Sequence, residues 1–161
     1  MRVLIVFDVL CLVFLFVQSY TSYQTLGCPR YTDHPLTGNY SLHIERHRWR
    51  ILHRLQRMHS PLVSKIKTCM ASMKIHMVSL KHPKNHIVLG FVNTRCSNTH
   101  VYVTMEGVSE DLSGTLIHEC THLALQSQDY AYIHNTRFKH LRGPHRQHNA
   151  DSITKVIQNN Y

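Results

Sequence analysis

The residues best able to do chemistry lie together in the run SGTLIHECTHLALQ, which contains His118-Glu119-Cys120-Thr121-His122. On an α-helix, two histidines four residues apart sit about 40° apart around the axis, so both imidazoles can reach one metal ion. Glu119 sits about 100° from His118, which lets its carboxylate reach a water on that metal without becoming a ligand. This is an H-E-x-x-H pattern, in which the glutamate acts as general base. The chain is rich in histidine, 15 of 161 residues, yet its composition would produce the pattern only about 0.03 times by chance. Leu112, Leu116, Cys120 and Leu123 form the opposite face. The helix is therefore expected to pack on one side and ligate on the other, with Cys120 a disulfide or core residue rather than a ligand.

Two histidines leave a catalytic site incomplete, because such a metal takes a third protein ligand and keeps one open position. The nearest candidates downstream are Asp129, His134 and His140. The sequence has no H-E-x-x-H-x-x-G-x-x-H extension and no glutamate after Glu119. Asp129 is the better candidate, because SQDYAY follows the helix closely enough to turn back over the metal.

The stretch TLIHECTHLALQSQDYAYIHN resembles the active-site segment of the aspzincin metallopeptidases, the deuterolysin group, and is most like their lysine-specific metalloendopeptidase branch. That pattern is H-E-x-x-H, then a Gly-Thr pair shortly before Asp-x-x-Tyr-Gly. Here Asp129 and Tyr132 fill the Asp and Tyr positions, Leu125 to Gln128 stand where the Gly-Thr pair falls, and Ile133 replaces the last Gly. Asn149-Ala150-Asp151-Ser152 is similar to the segment that opens the family's last helix, so the resemblance spans about residues 115–159. It implies that His118, His122 and Asp129 bind one zinc ion. It also implies that Glu119 is general base and then proton donor, and that Tyr132 hydrogen-bonds the developing oxyanion. Asp151 matches a position in an acidic pocket that receives Lys on the leaving-group side, while Thr154 stands where a further carboxylate would be expected. The implied activity is a zinc metalloendopeptidase, with a Lys preference left open.

The elements that must position these groups follow from periodicity. A helix is expected over residues 41–60, with Ile51, Leu55, Met58 and Leu62 in its stripe, Trp49 and Leu52 beside them, and Arg46, Arg50, Arg54 and Arg57 opposite. Pro61 starts a second helix capped by Ser60, whose stripe runs through Ile66, Met70, Met73 and Met77. Pro83 and Asn85 mark a turn, followed by strands over 86–92 and 99–105, the second closed by Gly107. Ser109, Glu110 and Asp111 cap a helix over 111–125. A loop then runs to His148, and Asn149 caps a last helix ending at Asn159. The expected class is α+β: a zincin-like domain with N-terminal helices, a small β-sheet, an HExxH helix and a C-terminal helix.

Residues 1–19 read as a secretory signal peptide, with Arg2 ahead of an apolar run of about 15 residues, short of the roughly 20 that span a bilayer. Residues 20–161 are then a single secreted, extracellular domain. Cys11 leaves with the signal, and Cys28, Cys69, Cys96 and Cys120 can form two disulfides in three possible pairings. Asn39-Tyr40-Ser41 is a glycosylation sequon. The net charge is +9, with 18 Lys and Arg against 9 Asp and Glu. Weak contact with anionic surfaces through basic patches is compatible with that charge, but no nucleic-acid motif is present. The expected partners are protein or peptide substrates of a monomer. A zincin-fold secreted binding protein without efficient catalysis is the rival reading.

Overall fold

In the computed structural model, Ser60 accepts a hydrogen bond at Oγ from Val63 N at 3.1 Å, and Pro61 occupies the first helical turn behind it. Residues 33–34, 38–78, 88–94 and 97–159 are described here. Cys28, Cys96, the turn at Pro83 and Asn85, and the segment 1–19 fall outside them. The element order is β1 (Asp33–His34), α1 (Gly38–Leu55), α2 (Pro61–Ser72), β2 (Lys74–Val78), β3 (Gly90–Val92), β4 (His100–Thr104), α3 (Met105–Ser109), α4 (Leu112–Leu125), α5 (Thr136–His140), α6 (Gly143–Gln147) and α7 (Ala150–Asn159). The class is α+β, as expected.

Three helices build most of the core. In α1, Ile44, Ile51 and Leu55 are buried while Arg46, Arg50 and Arg54 lie on the solvent side. Trp49 is 67 % exposed and does not join the stripe. It stands two residues from Ile51, about 200° around the helix, so it faces away from the core. Asn39 lies in the first turn of α1. In α2, Val63, Ile66 and Met70 are buried, and Leu62 is not. Arg48 of α1 reaches across to the end of α2. Its Nε donates to Met70 O at 2.8 Å, its Nη2 donates to Ala71 O, and its Nη1 pairs with Glu45 at 3.2 Å. The guanidinium thus satisfies carbonyls that the last helical turn leaves open and sits at its negative dipole end.

The α2 stripe does not continue through Met77 as expected. Met73 is extended (φ −65°, ψ 146°) and ends the helix, and Lys74–Val78 is a strand. The sheet order is β1-β2-β4-β3, with β2 parallel to β4 and both outer pairings antiparallel. Within the spans expected as strands, 86–92 and 99–105, the described residues form strands at Gly90–Val92 and His100–Thr104; residues 86–87 lie outside the described ones. Ile75 pairs with Val101 and Met77 with Val103, and both valines are fully buried beneath the helices. The other face stacks Phe91 on Tyr102 at 5.0 Å and Tyr102 on His76 at 5.2 Å.

Gly107 does not close a strand; it lies in α3, where its N–H donates to Thr104 Oγ1 at 3.2 Å. A Cβ there would fall 1.9 Å from Leu89 O, so the position must be glycine for α3 to lie against that segment. Asp111 caps α4 as expected, accepting from Gly114 N at 2.9 Å. Leu112, Leu116 and Cys120 are buried on the packing face of α4, with Leu123 partly buried. The expected loop before α7 contains α5 and α6, neither of which buries a side chain.

Replacing Arg48 should cost far more than replacing its exposed neighbour. We expect Arg48→Ala to lower unfolding free energy by about 2 kcal/mol in urea titration, and Arg46→Ala by less than about 0.5 kcal/mol. Equal effects would mean that the cap on α2 contributes nothing.

Candidate metal centre

The fold brings His118, His122 and Asp129 together. His118 Nε2 lies 3.1 Å from His122 Nε2, and Asp129 Oδ1 lies 3.1 Å from the first and 3.3 Å from the second. Among the described residues this is the one group of His, Cys, Asp and Glu side chains close enough to share a metal ion. The spacing fits. Metal bonds of about 2.1 Å to imidazole or carboxylate give a tetrahedral ligand–ligand edge of about 3.4 Å.

The other ring nitrogens decide where the lone pairs point. His118 Nδ1 lies 2.7 Å from Asp151 Oδ1, and His122 Nδ1 lies 2.9 Å from Ser127 O. Both partners accept and cannot donate, so each Nδ1 carries a hydrogen and each Nε2 directs its lone pair at the shared point. The carboxylate of Asp129 faces the same point. Three electron-pair donors at this spacing require a cation among them. It can be a proton or a metal ion.

Asp129 reaches the helix because the chain reverses sharply after α4. Gln126 adopts the left-handed conformation (φ 54°, ψ 35°), and its N–H caps His122 O at 3.1 Å. Ser127 Oγ then bonds Thr121 Oγ1 at 2.7 Å. Gln128 forms a parallel bridge with Asn149, with Gln128 N donating to His148 O at 2.9 Å and Ala150 N donating to Gln128 O at 3.0 Å. Asn149 is fully buried, and its side chain clamps Ala131 at both N and O, each at 3.0 Å. It stands at the start of α7 as expected, with its O accepting from Ile153 N at 3.2 Å, and its side-chain amide also pins the segment between Asp129 and Tyr132. The Asn-Ala-Asp-Ser resemblance pointed to this segment, but not to the clamp.

Asp151 does two jobs. One oxygen holds His118 Nδ1, and the other accepts from Ile133 N at 2.5 Å. Both oxygens are thus engaged within the chain, which was not anticipated for a residue expected to grip substrate. Tyr132 is 45 % exposed and donates from its hydroxyl to Asp129 Oδ2 at 3.1 Å. Its ring stacks on His134 at 5.8 Å, and His134 and His140 stand outside the ligand group.

Glu119 is 5 % exposed and lines the same cleft, of about 1330 Å³. Gly90 of β3 lies against it: a Cβ there would fall 2.6 Å from Thr115 Cγ2 and 3.4 Å from Glu119 Cγ. Burial pushes the Glu119 carboxyl up to about 7, against the pull of the two histidines. Burial works against the charged form of His118, but hydrogen bonds to Asp129 and Asp151 outweigh it and raise the imidazole to about 10. His122 is likewise raised against its own burial, by Asp129 and Ser127 O. Asp129 is held well below the usual carboxylate range by both histidines, despite the opposing effect of burial. Tyr132 is pushed up to about 12 by burial and by Asp129. Thr154 is 7 % exposed, lines the cleft and has no hydrogen-bond partner for its hydroxyl among the described residues.

Protein-family models, curated proteins and solved structures give no match to this chain. The site therefore stands on its own geometry. Among the described residues, no helix is long and apolar enough to cross a membrane.

Two measurements test this arrangement. An amide at position 151 can accept at only one of the two atoms that now serve His118 and Ile133. With zinc ion as the probe for a metal held by this group, Asp151→Asn should bind roughly 10–100-fold more weakly in competition with a chromophoric chelator; unchanged binding would separate Asp151 from the centre. The second concerns protein stripped of metal by a chelator. The His118 proton stabilises the fold fully below pH 6.5, and this contribution is lost as pH rises towards about 10. His122 acts in the same direction. Glu119, raised from 4.5 to about 7, lowers stability earlier, as pH rises between those values. Asp129 contributes no slope there, because its stabilisation is lost only on acidification below 3.8. Melting temperature of the stripped protein should fall from pH 6.5 to 10, and zinc should reduce that fall by replacing the proton. A flat profile would contradict the shared cation point.

Proposed function

We propose that this chain is a zinc metalloendopeptidase of zincin-like architecture, resembling the aspzincins and secreted. The observation that carries the proposal is the convergence of His118 Nε2, His122 Nε2 and Asp129 Oδ1 within 3.3 Å, beside the buried carboxylate of Glu119. The donor set of two imidazoles and one carboxylate suits zinc and leaves one coordination position open. Zinc bound there supplies Lewis acidity towards a peptide carbonyl and makes water more acidic.

The chain's own residues supply the rest. Glu119 takes the proton of the attacking water and passes it to the leaving amine, a role suited to a carboxyl group poised near neutrality. The Tyr132 hydroxyl, on a half-exposed side chain, can turn from Asp129 to donate to the oxyanion. Among the described strands β3 is an edge of the sheet, and its residues Gly90 to Val92 line the cleft. The cleft, about 1330 Å³, exceeds the roughly 300–1,000 Å³ of ordinary small-molecule pockets, which favours a peptide substrate.

Charge favours basic peptides. Glu110, Asp111, Glu119, Asp129 and Asp151 line the cleft, in a chain with only 9 carboxylate side chains and net charge +9. Asp151 is occupied with His118 and Ile133, however, and Thr154 offers a neutral hydroxyl. The reading is therefore a bias towards basic residues rather than strict cutting before Lys.

The test is a mass-spectrometric map of cut sites in a diverse peptide library. Glu119→Gln should retain zinc and lose about 10³-fold in kcat. Chelator should abolish cutting, and added zinc should restore it. Equal cutting by both proteins would sink the mechanism. No cutting by folded, zinc-loaded wild type would instead favour a zinc-retaining binding protein.

A further inference from the structure

The packing face of α4 carries a second reactive pair. Cys120 is fully buried, and its Sγ lies 3.2 Å from Cys69 Sγ on α2. Both are thiols in this structure. They are 51 residues apart in sequence, so the packing of α2 on α4 brings them together, not chain proximity. Cys120 Sγ also touches Met73 Sδ at 3.4 Å, which closes its other side with sulfur rather than a competing polar group. Cys69 is partly exposed and opens into a shallow surface hollow beside Ser64, Lys65 and Thr68. A disulfide has its sulfurs about 2.05 Å apart, so forming one here takes a closure of roughly 1 Å.

We infer that Cys69 and Cys120 form a disulfide in the mature protein, and that this bond ties the metal-binding helix to α2. The chemistry needs an oxidant of the disulfide class, which an oxidising secretory compartment holds. Access sets the order of steps. The Cys69 thiolate attacks the oxidant's S–S bond and releases one thiol. The Cys120 thiolate then attacks Sγ of Cys69 in the mixed disulfide and releases the second. Two S–H bonds are lost and one S–S bond forms. The oxidant receives both electrons and both protons and leaves as two thiols. The bond would sit one residue from Glu119 and two from each histidine ligand, on the face of α4 that points away from the metal. It fixes the helix where the ligands leave it. The inference is independent of peptidase activity and of zinc.

The pairing can be read directly. The full chain is expressed through an oxidising secretory pathway, its free thiols are blocked, and it is digested without reductant by Lys/Arg-specific and Glu-specific peptidases. Cuts after Lys67 and Lys74 isolate Cys69, and a cut after Glu119 separates Cys120 from Cys96. The expected product joins residues 68–74 to the piece that begins at Cys120. Cys69 joined to Cys28 or Cys96, or blocked thiols at both 69 and 120, would overturn the inference. A second measurement addresses the tether. Cys69→Ser should lower the melting temperature by roughly 10 °C. An unchanged melting temperature would overturn the tether, and should the variant fail to fold, the wild-type map still decides the pairing.

Discussion

The centre depends on an electrostatic problem that has only cationic solutions. Two imidazole lone pairs and a carboxylate oxygen are held within 3.3 Å of one another. Left alone they repel. The fold enforces the arrangement from behind, by fixing a hydrogen on each Nδ1 through Asp151 and Ser127 O. Those two acceptors choose the tautomers, and the tautomers create the demand for positive charge. A proton and a metal ion would compete for one place, so any metal affinity of the site and the ionisation of its residues are a single property. The buried Glu119 belongs to the same problem: burial pushes its carboxyl up to about 7, and a cation at the shared point would draw it back down.

Much of this was legible in the sequence because it is local. The H-E-x-x-H spacing, the Asp111 cap and the buried series Leu112, Leu116, Cys120 are properties of one helix, and a 3.6-residue period displays them. Ser60 and Pro61 were legible for the same reason. Asp129 could be placed because it lies only seven residues beyond His122. Strand β2 was not legible. Met70, Met73 and Met77 keep helical spacing, and the break at Met73 is imposed by pairing with β4, whose residues lie more than twenty positions downstream. Trp49 was placed beside the apolar stripe, but its angle on the helix puts it in solvent. The short helices α5 and α6 bury nothing, so no apolar period announced them.

The partners of the site residues were the least legible part. A sequence can nominate Asp151 or Tyr132 as a polar group in a cleft, but the direction of a side chain depends on elements that meet only after folding. Asp151 holds His118 Nδ1, and Tyr132 donates to the second oxygen of Asp129. Asn149 was read as a cap because asparagine so often is one. The buried clamp on Ala131 needs a neighbour 18 residues away, which no local pattern encodes.

That clamp has a mechanical consequence. The bridge between Gln128 and Asn149, the amide of Asn149 on Ala131 and the carboxylate of Asp151 on Ile133 form one seam along the start of α7. Asp129 hangs from one side of it, and the group that steers His118 hangs from the other. If the seam opens, both let go together. Loss of an ion bound there would then be coupled to local opening of the chain, governed by the hydrogen bonds of the seam as well as by the ligands themselves.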